Sequence, residues 1–156
     1  MRVKSAKKPI VVAVSGGFDP LHYGHVRMMQ EVKKLGDELV VIINNDNWLK
    51  KKKGYVFMPQ NERREVIEAL ACVDRVVFTS HPKNPKDMSV GRDLRRMRPD
   101  IFAQGGDRKI GNAISSEVKA MKSTGGKIVY NLGRGGKVQS SSLLVDKAAE
   151  MKSSLI

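Results

Sequence analysis

Two histidines three residues apart, His22 and His25, stand in the stretch Gly16-Gly17-Phe18-Asp19-Pro20-Leu21-His22-Tyr23-Gly24-His25. An imidazole can donate a hydrogen bond to a phosphate oxygen, and glycine lets a phosphate approach the main chain. An apolar run at 10–14 precedes the stretch and an amphipathic segment reaching Leu35 follows it. That order reads as strand, glycine turn and helix, so the unpaired N–H groups of a helix start would lie beside the imidazoles. The chemistry such a group suits is binding of phosphoryl groups and stabilisation of charge on them. The plain alternative is a histidine pair satisfied within an ordinary strand–helix turn.

Three further clusters could take part. Gln139, Ser140, Ser141 and Ser142 precede the last helical pattern, close after Arg134 in a glycine-rich segment. The serines could cap that helix, or they could offer hydroxyls and backbone N–H groups to outer phosphates. Gly105, Gly106, Asp107 and Arg108 form a second glycine turn, where the backbone could lie against a nucleoside and Asp107 could accept from ribose or base; an ordinary turn is the alternative. Lys50, Lys51, Lys52 and Lys53 follow a run of Asn and Asp, and a solvated basic loop is their plainest reading.

The elements that must position these clusters follow from the apolar pattern. Apolar runs at 10–14, 39–43, 75–79, 101–103 and 128–130 read as buried strands. Between them lie helical patterns: one to Leu35; one through Val66, Ile67, Leu70 and Val73; one through Val90, Leu94 and Met97; and one through Ile114, Val118 and Met121. A last helix is expected with Leu144, Ala148 and Met151 on the core, and residues 44–59 as a polar loop. Strict β–α alternation predicts an α/β fold, doubly wound, with a mainly parallel five-stranded sheet and helices on both faces. Each of the four clusters follows a predicted strand, and in such sheets ligands bind beyond the carboxyl ends of the strands.

The chain has 156 residues, enough for a single domain with a real core, here 10–152 behind a basic tail at 1–9. It carries 29 Lys+Arg against 16 Asp+Glu, a net charge of +13, which favours anionic partners without choosing among them. No apolar run is long enough to span a membrane, and the run after Pro9 is too short for a secretory signal. One cysteine, Cys72, cannot form an internal disulfide and falls in an apolar helical pattern as buried filler, so a cytoplasmic location is expected. There is no P-loop, no dinucleotide-type G-x-G-x-x-G after the first strand, no zinc-type Cys/His spacing and no hydrolase nucleophile elbow.

The first motif resembles the G-x-F-D-x-x-H-x-G-H box of the nucleotidylyltransferase superfamily: Gly16, Phe18, Asp19, His22, Gly24 and His25 fill every conserved place in it. The resemblance runs from Ile10 to about Met151. It implies a Rossmann-like fold and transfer of a nucleotidyl group from NTP, ATP or CTP, to a small phosphorylated acceptor, with pyrophosphate released. On it, His22 and His25 are catalytic, with Gly16, Gly17, Phe18, Asp19 and Gly24 around the nucleotide and Asp19 organising the turn. Residues 105–108 face the nucleoside, and Arg134 with 139–142 hold the departing pyrophosphate. Lys52, Lys53 and Arg63 meet the acceptor phosphate. Mg2+ bound mainly through the NTP phosphates, no protein metal site and a homodimer are expected, with nucleic acid not a partner.

Two branches compete. Glycerol-phosphate-type cytidylyltransferases have an Arg where this chain has Ala71 and a G-D-D-W-type loop at 105–108. The adenylyltransferase domain of ADP-heptose synthesis has a G-G-D-Y-K-type loop, nearer Gly105-Gly106-Asp107-Arg108-Lys109 and similarly approached through Arg98-Pro99-Asp100. The chain departs from the superfamily at Gln139, in place of an aliphatic residue before the hydroxyl run, and in a longer segment between Thr79 and Val90. The resemblance leans to adenylyl transfer onto a sugar 1-phosphate. Cytidylyl transfer to glycerol 3-phosphate or a similar polyol phosphate is the runner-up, and a nucleotide- or RNA-binding module on the same fold is the non-enzymatic alternative.

Overall fold

The computed structural model describes residues 6–106, 108–133 and 139–155. Five strands, β1 (Val11–Gly16), β2 (Glu38–Ile43), β3 (Arg75–Phe78), β4 (Ile101–Gly105) and β5 (Lys127–Leu132), form one sheet in the order β3-β2-β1-β4-β5. Every pairing is parallel. The chain winds outward from β1 to β3, then crosses back to β4 and β5. The point where it reverses, between β1 and β4, is where a doubly wound sheet opens a crevice for ligand.

The helices are α1 (Tyr23–Lys33), α2 (Asp46–Lys53), α3 (Gln60–Glu68), α4 (Gly91–Met97), α5 (Ser115–Thr124) and α6 (Ser141–Ser153). Side chains alternate across β1, and the core divides with them. Val12 and Val14 join Met29 and Val32 of α1 and Ile67 of α3 on one face; Ala13 joins Leu94 of α4 and Ala120 and Met121 of α5 on the other. Among the described residues, no helix is long and apolar enough to cross a membrane.

At the amino-terminal edge of the sheet, carboxylates satisfy strand N–H groups that no neighbour can reach. Asp37 accepts from the Ile10 N–H at 2.7 Å, Asp100 from Val11 at 2.8 Å and Asp74 from Leu39 at 2.7 Å, while Lys33 bonds Asp74 from α1. This edge is closed by its own side chains.

Several expectations are corrected. The lysine run lies on α2, not in a loop: Asn45 caps that helix by accepting from the Trp48 N–H at 3.0 Å, and Gly54 ends it at φ 82°. Lysines at a helix carboxyl end are favoured by its dipole, and with Leu49 as its buried residue the helix shows no apolar period to read. Helix α3 stops at Glu68, so Cys72 sits half-buried in the turn beyond it, and Val66 points outward. In α5 the buried face carries Glu117, whereas Val118 is 38% exposed. Ala148 and Met151 of α6 are exposed, not core-facing.

Candidate active site

A cavity of about 360 Å³ opens over the carboxyl ends of β1 and β4. Gly16 ends β1. A Cβ there would fall 2.8 Å from the Phe18 ring, so only glycine lets Phe18 fold back over the strand end. Phe18 is buried with φ at 51°, a left-handed conformation that costs a side-chain-bearing residue free energy and is held by its surroundings. Its ring meets His25 edge-on, centroids 4.9 Å apart at 87°.

His22 is the N-cap of α1 and His25 lies in its first turn. Their rings stack with centroids 3.7 Å apart and 21° between planes. The His22 N–H donates to His25 Nδ1 at 3.3 Å, so a neutral His25 carries its proton on Nε2. Burial, reinforced by the neighbouring charges of His22 and Lys53, lowers the His25 pKa to about 3. Near neutral pH the side chain is therefore an uncharged donor, mounted where the helix N-terminus already favours anions.

Asp19 and Arg63 hold the histidine turn from behind. Asp19 is fully buried and its carboxylate accepts from the N–H groups of Phe57 and Met58, at 2.8 and 2.6 Å. It organises the turn, as its place in the sequence suggests. Arg63, expected at the acceptor phosphate, is turned inward with its side chain 0% exposed. It donates to the carbonyls of Gly17, Asn44 and Met58 at 2.6, 2.7 and 2.9 Å and pairs with Asp46 at 2.7 Å. A guanidinium with these partners braces the ends of β1 and β2; it does not face the cavity.

The other expected residues divide. Gly17, Gly24, Gly105, Gly106, Arg108 and Gln139 all line the same cavity as the histidines. At Gly105 a Cβ would come within 2.3 Å of Met28 Sδ and 3.1 Å of the Leu132 carbonyl, so glycine is what lets β4, β5 and α1 converge there. Ser140 stands at the N-cap of α6 without a side-chain cap bond, and Ser142 lies half-buried in its first turn. Ser141 Oγ donates to the Pro20 carbonyl at 2.8 Å, tying α6 to the histidine turn. Asp107 and Arg134 lie outside the described residues. Of the lysines, Lys51 bonds Asn84 and Lys52 is exposed, whereas Lys53 is half-buried with Nζ 3.4 Å from the Asp19 carbonyl. Burial is the main cause that lowers the Lys53 pKa; Asp19 opposes it and Arg63 adds to it.

Sequence reasoning gave no individual role to five further lining residues, although Asn44 and Trp48 fall in the segment after the second strand that it placed at the ligand edge. Asn44, Trp48, Met88, Gln104 and Glu117 line the cavity too. They come from separate elements, and none stands in a recognisable motif. Among the described residues, no group of three or more His, Cys, Asp or Glu could hold a metal ion.

A doubly wound parallel sheet with a histidine pair at the first helix start, over a glycine-lined cavity at the switch point, belongs to the class of nucleotide-handling α/β enzymes. The chain is a member of the cytidylyltransferase-like family, whose model matches residues 13–144, and it is a nucleotidyltransferase. It is 39% identical over 102 residues to FAD synthase of Pyrococcus horikoshii, a match covering 65% of this chain and 66% of that protein. It is 38% identical over 150 residues to the bifunctional protein HldE of Streptomyces coelicolor, covering 93% of this chain but 30% of that one. The solved structure of a lipopolysaccharide core biosynthesis protein from Thermoplasma volcanium matches with a TM-score of 0.62 and 30% identity, over 80% of this chain and 98% of that one. The reading as a non-catalytic binding module gives way to the enzymatic one.

Proposed function

We propose that the chain transfers an adenylyl group from ATP to the phosphate of a small sugar or polyol phosphate, most specifically a sugar 1-phosphate, releasing pyrophosphate. The stacked histidine pair, with an uncharged His25 at the start of α1, is the observation that carries the reading. Similarity to an FAD synthase and to HldE favours the adenylyl group, as do Ala71 and the Gly105-Gly106 turn.

In this mechanism an acceptor phosphate oxygen attacks the α-phosphorus of ATP in line. The new P–O bond forms as the bond to the β-phosphate oxygen breaks, and pyrophosphate leaves with that electron pair. The nucleophile is already an oxyanion, so no protein base is needed. What the protein must supply is alignment and donors aimed at the charge developing on the α-phosphoryl group. His25 Nε2–H and His22 serve as those donors. The start of α6, with Ser140 and Ser142, and Gln139 receive the outgoing pyrophosphate. Lys53 attracts the acceptor phosphate toward the histidines.

The metal that suits this site is Mg2+ carried on the triphosphate. Glu117 is the one carboxylate among the described lining residues, too few for a protein-held metal, and Asp19 is committed to the Phe57 and Met58 amides. Bound there, Mg2+ would neutralise phosphate charge and keep most of its waters.

The test is pyrophosphate release with ATP or CTP against a panel of sugar and polyol phosphates. ATP is expected to exceed CTP in kcat/KM by about tenfold or more, which needs only ~1.4 kcal/mol of differential transition-state binding. A clear CTP preference would overturn the adenylyl assignment and leave the transfer mechanism standing.

A further inference from the structure

The cavity has polar lining that neither the histidine motif nor the glycine turns account for. Three of its lining side chains are polar and nearly fully buried: Asn44 at the end of β2, Gln104 on β4 and Glu117 on α5, at 6%, 8% and 4% exposure. Buried polar groups are normally satisfied within the protein, and exceptions call for a reason. Asn44 Oδ1 is one: it is buried and accepts no hydrogen bond. The Asn44 backbone is held rigidly, its N–H on the Gly16 carbonyl at 2.8 Å and its carbonyl on Arg63 at 2.7 Å, so the side chain cannot drift to a partner by backbone movement.

Glu117 is a second. Its two oxygens take one hydrogen bond each, from the Val90 N–H at 3.2 Å and from Gln104 Nε2 at 3.0 Å. A carboxylate can accept about four, so each oxygen keeps a lone pair for a ligand donor. Gln104 gives one amide hydrogen to Glu117 and retains its carbonyl oxygen and second N–H. An apolar residue at 117 would pack that helix face more cheaply, since a buried carboxylate costs free energy unless something uses it.

Around these three groups the wall is built as a unit. The segment between β3 and α4 folds over α2. Trp48 Nε1 donates to the Met88 carbonyl at 2.8 Å, Asn45 Nδ2 and Asn47 Nδ2 donate to the His81 carbonyl at 2.8 and 3.1 Å, and Glu117 holds Val90. Trp48, Met88 and Val90 line the same cavity. The same helix, α2, places Lys53 beside the histidines. A ligand with its phosphate near Lys53 and its body among these side chains meets an apolar wall and a set of hydrogen-bond acceptors outnumbering donors. Sugar and polyol hydroxyls supply what that set lacks.

We infer that Asn44, Gln104 and Glu117 form the hydroxyl-recognising subsite for the acceptor, selecting a polyhydroxylated sugar or polyol phosphate by its carbon-borne O–H groups. The inference rests on the adenylyl-transfer reading above. It makes Glu117 and Asn44 specificity residues, since they meet the acceptor away from its reacting phosphate.

The experiment measures ATP-dependent pyrophosphate release with glucose 1-phosphate, mannose 1-phosphate, ribose 5-phosphate, their 2-deoxy analogues and FMN. It is run on the full chain and on Glu117→Gln and Asn44→Leu. The second variant removes no hydrogen bond that the Asn44 side chain makes in the protein, so it guards against a fold failure in the first. For the best sugar phosphate, each variant is expected to raise the acceptor KM about tenfold or more, a loss of ~1.4 kcal/mol, with the ATP KM within twofold. The preference for that acceptor over its deoxy analogue should shrink toward unity in at least one variant. Equal losses for hydroxylated and deoxy acceptors, or equal rises in acceptor and ATP KM, would overturn the inference while adenylyl transfer stands. So would release with FMN alone. Release with no acceptor would overturn the transfer reading itself.

Discussion

The lining of the cavity is built on two different plans. In one part, a stretch of ten residues supplies a histidine pair, three glycines and the turn that orients them, and the α1 start adds backbone donors. In the other, single side chains come from the end of β2, from α2, from the segment before α4, from β4 and from α5. On the proposed reading the first part meets what every nucleotide shares, a phosphate chain, and local geometry is enough for that. On the same reading the second meets what distinguishes one acceptor from another, and side chains must carry that distinction. A local plan leaves a contiguous motif in the chain; a distributed plan leaves single residues scattered over more than seventy positions, from Asn44 to Glu117.

The sharpest way to break the comparison is at the motif. His22→Ala and His25→Ala should each fold and each lose turnover on the order of 100-fold or more, the usual result of deleting a preorganised donor. The effect should fall mainly on kcat, since the donors act on charge that develops in the transition state. Near-normal turnover in both variants would make the histidine part a structural cap.

Gly105→Ala tests whether close backbone approach, not side-chain chemistry, defines that part. The added methyl would meet Met28 Sδ, which can move, and the Leu132 carbonyl, which cannot. Overpacking of this kind costs ~1–3 kcal/mol. Thermal unfolding should show the loss, and the ATP KM should rise more than the acceptor KM. If Gly105→Ala with Met28→Ala restores stability but not the ATP KM, the turn matters for the nucleotide itself.

The third expectation concerns protons. The folded His25 pKa, about 3, lies below the ordinary value of 6.5, so the unfolded chain binds a proton over the interval between them. Stability contributed by a neutral, buried His25 is present above pH 6.5 and is lost as pH falls toward 3. Between pH 7 and 5 this amounts to about 2 kcal/mol from one group. His25→Gln, whose carbonyl can still accept from the His22 N–H, should flatten that part of the stability profile. An unchanged pH dependence of urea midpoints would mean that His25 takes up a proton as readily in the fold as in the unfolded chain.

The legibility of each part follows its physical basis. The five strands and the two-faced core were readable because continuous apolar runs such as 39–43 mark strands buried on both sides. The histidine turn was readable because its parts are neighbours in the chain. Helix α2 was not, since Asn45 and Gly54 bound eight residues that bury chiefly Leu49. Glu117 was hidden by the period of its own helix: the apolar reading placed Val118 inward, one position away, and a buried carboxylate violates the pattern that sequence reading relies on. Arg63 misled in the same way, its charge pointing to a ligand when its partners are backbone carbonyls of the site's own loops.

The smallest effect lies where the two plans meet, on α2. Four consecutive lysines look equivalent in the chain, but a helix turns each by about 100° and so gives them different surroundings. Lys51 is engaged by Asn84, Lys52 is exposed, and only Lys53 of the three lies near the histidines, close enough to help lower the His25 pKa. Its own lowered pKa reflects burial, the cost of holding a cation where water is scarce, and a phosphate arriving there would relieve that cost. Lys53→Met should therefore raise the acceptor KM by about tenfold, equivalent to ~1.4 kcal/mol, with a smaller rise in the ATP KM. Lys52→Met, retaining the same helix and nearly the same net charge, should change either constant by less than about twofold, because an exposed charge is screened by salt. Equal effects from the two substitutions, both fading in high salt, would reduce the whole run to a diffuse basic field and detach α2 from the acceptor part of the site.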